Sequence, residues 1–161
     1  MSATHLAQLN VGRLRAPIGD PRVAEFIDNV DRVNAAGKRM PGFVWMLEGD
    51  AGPGNTEHKI DGDPRFISNL TVWESVEALE AFVWGTVHKR FYERRALWFE
   101  ALAEAHFVMW WVAAGHRPTL AEGLDRLARL REHGPSEHAF GWKDLPEARL
   151  WREARCGEVT A

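Results

Sequence analysis

The chain has 161 residues, enough for one domain with an extended tail, and an apolar fraction of 45% supports a real core. Its net charge of -3 gives no electrostatic case for nucleic acid or an anionic membrane as partner. A single cysteine, Cys156, excludes an intrachain disulfide framework and an all-cysteine metal site, and with no signal-peptide pattern and no membrane-length apolar run the expected location is cytoplasmic.

His5–Leu14 alternates, with Ala7, Leu9 and Val11 pointing one way and Gln8, Asn10 and Gly12 the other, which predicts a half-buried strand with a polar second face. Asp20 and Pro21 then open a helix as N-cap and first helical residue. Val23, Phe26, Ile27, Val30 and Val33 form its buried stripe, and Gly37 can end it. Phe43–Glu48 is a second strand, followed by a turn-rich loop over Gly49–Asp63. Phe66–Trp73 is a third, with Leu70 and Val72 on one face and Asn69, Thr71 and Trp73 on the other. Ser75 caps a long helix, with Glu77 and Glu80 near its positive end. Gly85 is its weak point, because glycine costs about 1 kcal/mol against alanine in a helix interior. His106–Ala113 is a fourth strand, apolar on both faces. Thr119 and Glu122 form a capping box for a third helix, whose stripe is Leu120, Leu124, Leu127 and Leu130 and whose end is Gly134–Pro135. The remainder is a tail whose aromatic residues must dock somewhere.

The order β-α-β-β-α-β predicts an α+β, ferredoxin-like domain with an antiparallel sheet, followed by a C-terminal helix and tail. We place the domain at residues 1–135 and the docking tail at 136–161. Helices cover one face of such a sheet and leave the other open. Here the open face would carry Gln8, Asn10, Asn69, Thr71 and Trp73. An exposed face of that kind marks a partner surface, and two of them packed together give a homodimer with an enclosed cavity.

Two stripes run along the long helix. Val76, Leu79, Val83 and Val87 read as core, whereas Trp84, His88, Tyr92 and Arg95 mix aromatic area with ionisable groups, as a pocket wall does. The basic residues Lys89, Arg90, Arg94 and Arg95 are interleaved with Glu93 and Glu100 and read as a solvated face. Asn10 is an amide in mid-strand, where Asn is disfavoured. His116 reads as part of the turn entering the third helix. Metal sites fare poorly: no two histidines stand four apart on one helix, and His133 and His138 have no third ligand. There is no phosphate-binding glycine loop after a strand and no nucleophile elbow.

The segments LAQLNVGRLRAP, PGFVWMLEGD, NLTVWESVEALEAFVW and VHKRFYERRALWF, and the run MWWVAAGHRPTLAEGLDRLARLREHGPSEHAFGW, resemble a bacterial family catalogued as DUF3291. The resemblance runs from about Leu6 to Trp142. It implies a dimeric α+β barrel, the architecture of antibiotic-biosynthesis monooxygenases and haem-degrading monooxygenases. Met46 stands where the family pattern carries an arginine, so any anion contact made there is lost in this chain.

By order and element, Asn10, Trp73 and His88 are similar to the Asn–Trp–His set of the haem-degrading enzymes. The reading that follows is a small-molecule enzyme performing cofactor-independent oxidation or isomerisation of a hydrophobic, aromatic metabolite. His88 would be the acid/base and Asn10 the donor to oxygen. Trp73, Trp84, Tyr92, Arg95, Trp45 and Asn69 would line the substrate site. The alternatives are a haem protein with His88 as ligand, and a non-catalytic binding dimer. Two geometric expectations follow. Trp73 and Asn10 should share a cavity wall away from the first helix. His88 should face a cavity between helix and sheet, kept neutral by burial and by Arg95.

Overall fold

The computed structural model describes residues 3–50 and 53–158. Its elements are β1 (Thr4–Arg13), α1 (Pro21–Lys38), β2 (Phe43–Met46), β3 (Phe66–Trp73), α2 (Val76–Gly85), α3 (Val87–Glu93), β4 (Phe107–Ala113), α4 (Leu120–His133) and α5 (Arg149–Glu158). The sheet order is β2-β3-β1-β4 with every neighbour antiparallel, which is the ferredoxin-like βαββαβ arrangement.

The expected caps are in place. The Asp20 side chain accepts from the Arg22 amide at the start of α1, and Ser75 Oγ accepts from the Ala78 amide at the start of α2. The long helix is two helices. Thr86 is extended (φ -128°, ψ -172°), and its hydroxyl donates to the Phe82 carbonyl at 2.6 Å while accepting from the His88 amide at 3.2 Å. One side chain thus ends α2 and caps α3, next to the glycine that weakens the helix. The capping box of α4 is half formed. Thr119 Oγ1 accepts from the Glu122 amide, but the Glu122 carboxylate turns away to Trp110 and His116.

The sheet faces differ from the sequence expectation. The cross-strand pairs Leu6↔Trp73, Asn10↔Asn69 and Gln8↔Met109 put these residues on one face. That face lies under α1 and α2: Trp73 stacks on Phe82 of α2 at 5.4 Å, and Leu14 and Ile67 pack with Val23 and Ile27 of α1. Asn10 and Trp73 do share a face, but it is the helix-covered one. The strand alternation was legible and its polarity was inverted, which turns every side chain to the other layer.

The second face is covered too. Ala7, Leu9, Leu70, Val72 and Trp110 are each 0% exposed, beneath the leucine stripe of α4 and beside Ile60. A Cβ on Gly123 of α4 would lie 3.1 Å from Leu9 and 3.4 Å from Trp110, so glycine is what lets the helix sit this close. The open apolar face that motivated a homodimer is therefore filled by the chain's own α4. Trp45 pairs with Val72 on this second face, after a bulge at Val44. It cannot join Asn10 and Trp73 across the sheet.

The tail docks and ends in a helix that the sequence reading did not anticipate. Phe140 pairs through its backbone with Met109 of β4 (2.8 and 3.0 Å), and Phe140, Leu145 and Ala148 are buried against α2. The Glu80 carboxylate of α2 accepts from the Leu150 amide at 3.4 Å, serving the start of α5 from a neighbouring helix. Among the described residues no helix is long and apolar enough to cross a membrane. The side chain of Cys156 lies outside the described residues.

Candidate functional site

A buried polar network lies on the helix-covered face. Gln8 Nε2 donates to Thr71 Oγ1 and to Asn69 Oδ1, both at 2.7 Å, and Trp73 Nε1 donates to Thr71 Oγ1 at 2.8 Å. Gln8 is 4% and Thr71 1% exposed, so these polar groups are satisfied by one another. The network also sets the Asn69 amide. With Oδ1 turned to Gln8, its NH₂ group points away with no partner among the described residues.

The cover of this face is interrupted at that point. At one end Trp73, Thr71 and Gln8 are sealed beneath α2. At the other, Phe99 lies directly on Gly12 and Trp98 packs with Ile67. Between them Asn10 is exposed and Asn69 half-buried, directly paired across β1 and β3. Two side-chain amides thus stand where the cover over the middle of the sheet is open; we call this opening the cleft. Phe107 is Asn10's partner on β4. An aromatic series runs outward from it: Phe107 stacks on Trp142 (5.7 Å, 9°), Trp142 meets Trp84 (6.4 Å), and Trp84 meets Tyr92 edge-on (4.9 Å). Arg95 closes the series, its guanidinium 3.9 Å from the centre of the Tyr92 ring.

His88 opens α3, half-buried, its ring 4.9 Å from Phe82 and its Nδ1 3.3 Å from the Val83 carbonyl. A carbonyl only accepts, so Nδ1 carries the proton and Nε2 is the free acceptor. Burial lowers its pKa below the ordinary histidine value, which keeps the imidazole neutral near pH 7. The expectation that Arg95 contributes to this is not met. Arg95 acts instead on His106, whose pKa is lowered first by burial and then by the charges of Arg95 and Arg131.

The structure thus brings Asn10 and Asn69 together, and Trp84, Tyr92 and Arg95 together. His88 touches Phe82, which in turn stacks on Trp73, so Phe82 stands between the histidine and that tryptophan. Trp73 is 0% exposed and is part of the scaffold rather than of an open wall. His116 Nε2 lies 2.8 Å from Glu122, whose other oxygen accepts from Trp110 Nε1 at 3.1 Å, a turn lock as expected. His133 and His138 each face their preceding glutamate. Among the described residues no group of three or more His, Cys, Asp or Glu could hold a metal ion. The sequence reading passed over Gln8 and Thr71, which aim the Asn69 amide, and Phe107 and Trp142, which carry the wall. Gln8 and Thr71 share the parity of Asn10 and Trp73, a signal that was present. Trp142 had none, because its place depends on how the tail folds back.

Gly12 offers a direct test of this layout. A Cβ there would lie 2.7 Å from two atoms of the Phe99 ring. Gly12→Ala is expected to displace that ring from one end of the cleft and to destabilise by about 1–3 kcal/mol, read by urea denaturation. An unchanged midpoint would show that Phe99 does not bear on the strand.

A family model described as Domain of unknown function (DUF3291) matches residues 5–156. Among solved structures, the chain is similar to the protein PA3566 from Pseudomonas aeruginosa (15% identity, TM-score 0.46, covering 72% of this chain and 99% of that one). It is also similar to a protein from Chloroflexus aurantiacus J-10-fl named for antibiotic biosynthesis monooxygenases (17% identity, TM-score 0.41, covering 72% of this chain and 98% of that one). No curated protein matches it in sequence.

Proposed function

From the premise that the chain belongs to the DUF3291 family, we propose that it is a small-molecule enzyme whose substrate sits over Asn10 and Asn69. The reaction is a cofactor-independent oxidation or isomerisation of a hydrophobic, aromatic metabolite. The observation that supports this most is the pair of amides left open in a sheet face that is otherwise covered. Their N–H groups suit a substrate oxygen that gains negative charge, which is where fixed donors contribute most. The wall of Phe107, Trp142, Trp84 and Tyr92 suits a flat apolar body. His88 takes the proton at Nε2, the nitrogen left free once Nδ1–H is given to Val83. Mass spectrometry of what co-purifies names the compound. Asn69→Ala is expected to weaken its binding about tenfold or more while leaving the thermal midpoint within a few degrees. Equal affinity in that variant would remove the cleft from consideration.

A haem reading starts from the same histidine, since a ring held through Nδ1–H on a carbonyl presents Nε2 to a metal. The surroundings do not fit it. The His88 ring packs against Phe82, whereas a haem, a large flat ring, needs clear space around the nitrogen that binds it. Titration with haemin is expected to give no saturable Soret shift. A one-to-one shift abolished by His88→Ala would reverse this reading.

The homodimer stays within the proposal, through a surface other than the sheet face. Trp111 of β4, 40% exposed beside Phe140, is a large exposed apolar side chain and supports that placement. Sedimentation at micromolar concentration is expected to give a dimer; a monomer would reject it.

A further inference from the structure

We infer that the cleft selects an anionic ligand, a carboxylate borne on a flat aromatic body, and that Arg95 is the group that selects it; this rests on the cleft reading above. The inference comes from an inventory of the acidic groups on and beside residues 93–104. Glu25 is taken by Arg94 in a two-pronged pair (2.6 and 2.8 Å). Glu100 is held by Arg13 (2.8 and 2.9 Å) and by Arg65 (3.2 Å), and Asp63 by Arg13 (2.9 Å). Glu104 lies 3.5 Å from Arg131, and Glu93 lies 3.8 Å from Lys89. Each of these carboxylates has a cation.

Arg95 has no carboxylate partner among the described residues, nor have Arg15, which donates to the Ala96 carbonyl, and Arg90; of the three, Arg95 is the one that lies on the aromatic series. Its Nη1 donates to the Tyr92 carbonyl at 2.7 Å, and its Cζ lies over the Tyr92 ring, 3.9 Å from the centre. That contact uses one donor of five and fixes the direction of the fork. A guanidinium stacked on an aromatic ring, with most of its N–H groups free, is ready to take a carboxylate in a bidentate pair.

Its place is also fixed. The Ala96 carbonyl, one residue on, accepts from Arg15 Nε at 2.8 Å, and the Trp98 carbonyl accepts from the Arg15 amide, also at 2.8 Å. The Arg95 turn is thereby tied to the end of β1, three to five residues beyond Asn10. The Phe99 amide also donates to the Arg95 carbonyl at 2.9 Å, and the Phe99 ring lies on Gly12, the neighbour of Asn10 on the same face of β1. The cleft therefore offers neutral amide donors on its floor, aromatic rings at its side and, where the aromatic series ends, the uncompensated guanidinium of Arg95. An acid on a planar ring satisfies all three, whereas a neutral ring leaves the guanidinium unused.

The test uses a matched pair of probes, 2-naphthoate and 2-naphthamide, alike in shape and different in charge. Binding to the full chain is followed by calorimetry and by quenching of tryptophan emission. The carboxylate is expected to bind at least tenfold tighter than the amide. Arg95→Gln is expected to lower carboxylate affinity to about that of the amide, and Arg95→Lys, which keeps the charge, is expected to retain part of the preference. Raising the salt concentration should weaken the carboxylate alone. Equal binding of both probes to the native chain, or a preference untouched in Arg95→Gln, would overturn the charge selection and leave the cleft standing. If neither probe binds, the cleft reading itself is overturned, and this inference with it.

Discussion

His88→Ala is expected to lower turnover by about 10²–10⁴-fold, the range supplied by a positioned general base. The fold should survive. The substitution removes one hydrogen bond to Val83 and one ring contact with Phe82, whereas the cap of α3 belongs to Thr86 and stays in place. A stability loss of roughly 1–2 kcal/mol follows. The pH dependence carries a definite sign. Burial lowers the folded-state pKa of His88 below its unfolded value, so protonation disfavours the folded form. The stability tied to neutral His88 is complete above the unfolded value, about 6.5, and is lost as pH falls toward the lower folded value. His88→Ala should therefore flatten the acid side of the stability profile, and the acid limb of kcat/KM in the native enzyme should fall below pH 6.5. Turnover unchanged in His88→Ala would end the catalytic role. A chain that fails to fold would make the histidine a structural residue.

The fold was legible for identifiable reasons. Asp20–Pro21, Ser75 and Thr119 are capping signals that act over two or three residues, and a local interaction can be read locally. The element order then limits the topology to few choices. The inside and outside of the sheet could not be read in the same way. β1 carries apolar residues at Ala7, Leu9 and Val11 and polar ones at Gln8 and Asn10, so alternation points to a wet second face. Gln8 stays dry because Asn69 and Thr71, more than sixty residues on, accept its hydrogen bonds. A polar residue that brings its own partner does not mark a surface. The broken helix shows the same limit from the other side. Gly85 signals weakness, but the break is made by the Thr86 hydroxyl bonding both ways, which propensity does not report. As for the site, of the stripe Trp84–His88–Tyr92–Arg95, Trp84, Tyr92 and Arg95 still meet across the break, whereas His88 turns to Phe82. The link from Trp84 to the sheet runs through Trp142 and could be seen only once the tail had been placed.

Trp73→Ala is expected to cost about 3–5 kcal/mol and to have the largest effect on stability of any substitution considered, because a fully buried tryptophan leaves a cavity as well as lost transfer energy. The indole stacks on Phe82, meets Phe43 edge-on at 5.4 Å and donates to Thr71, so three elements lose a contact together. The alanine variant alone does not separate a scaffold residue from a substrate contact, since an unfolded chain binds nothing. Trp73→Phe separates them. It keeps most of the aromatic packing and removes the indole N–H, while Thr71 Oγ1 still accepts from Gln8. A loss of about 1–2 kcal/mol in stability is expected, with ligand affinity within about twofold of native. If Trp73 formed an open cavity wall, as the sequence suggested, the balance would reverse: affinity would fall by an order of magnitude while the denaturation midpoint barely moved. The buried position of the ring beneath α2 favours the first outcome, because a side chain sealed between a sheet and a helix reaches a ligand only through the residues it holds in place.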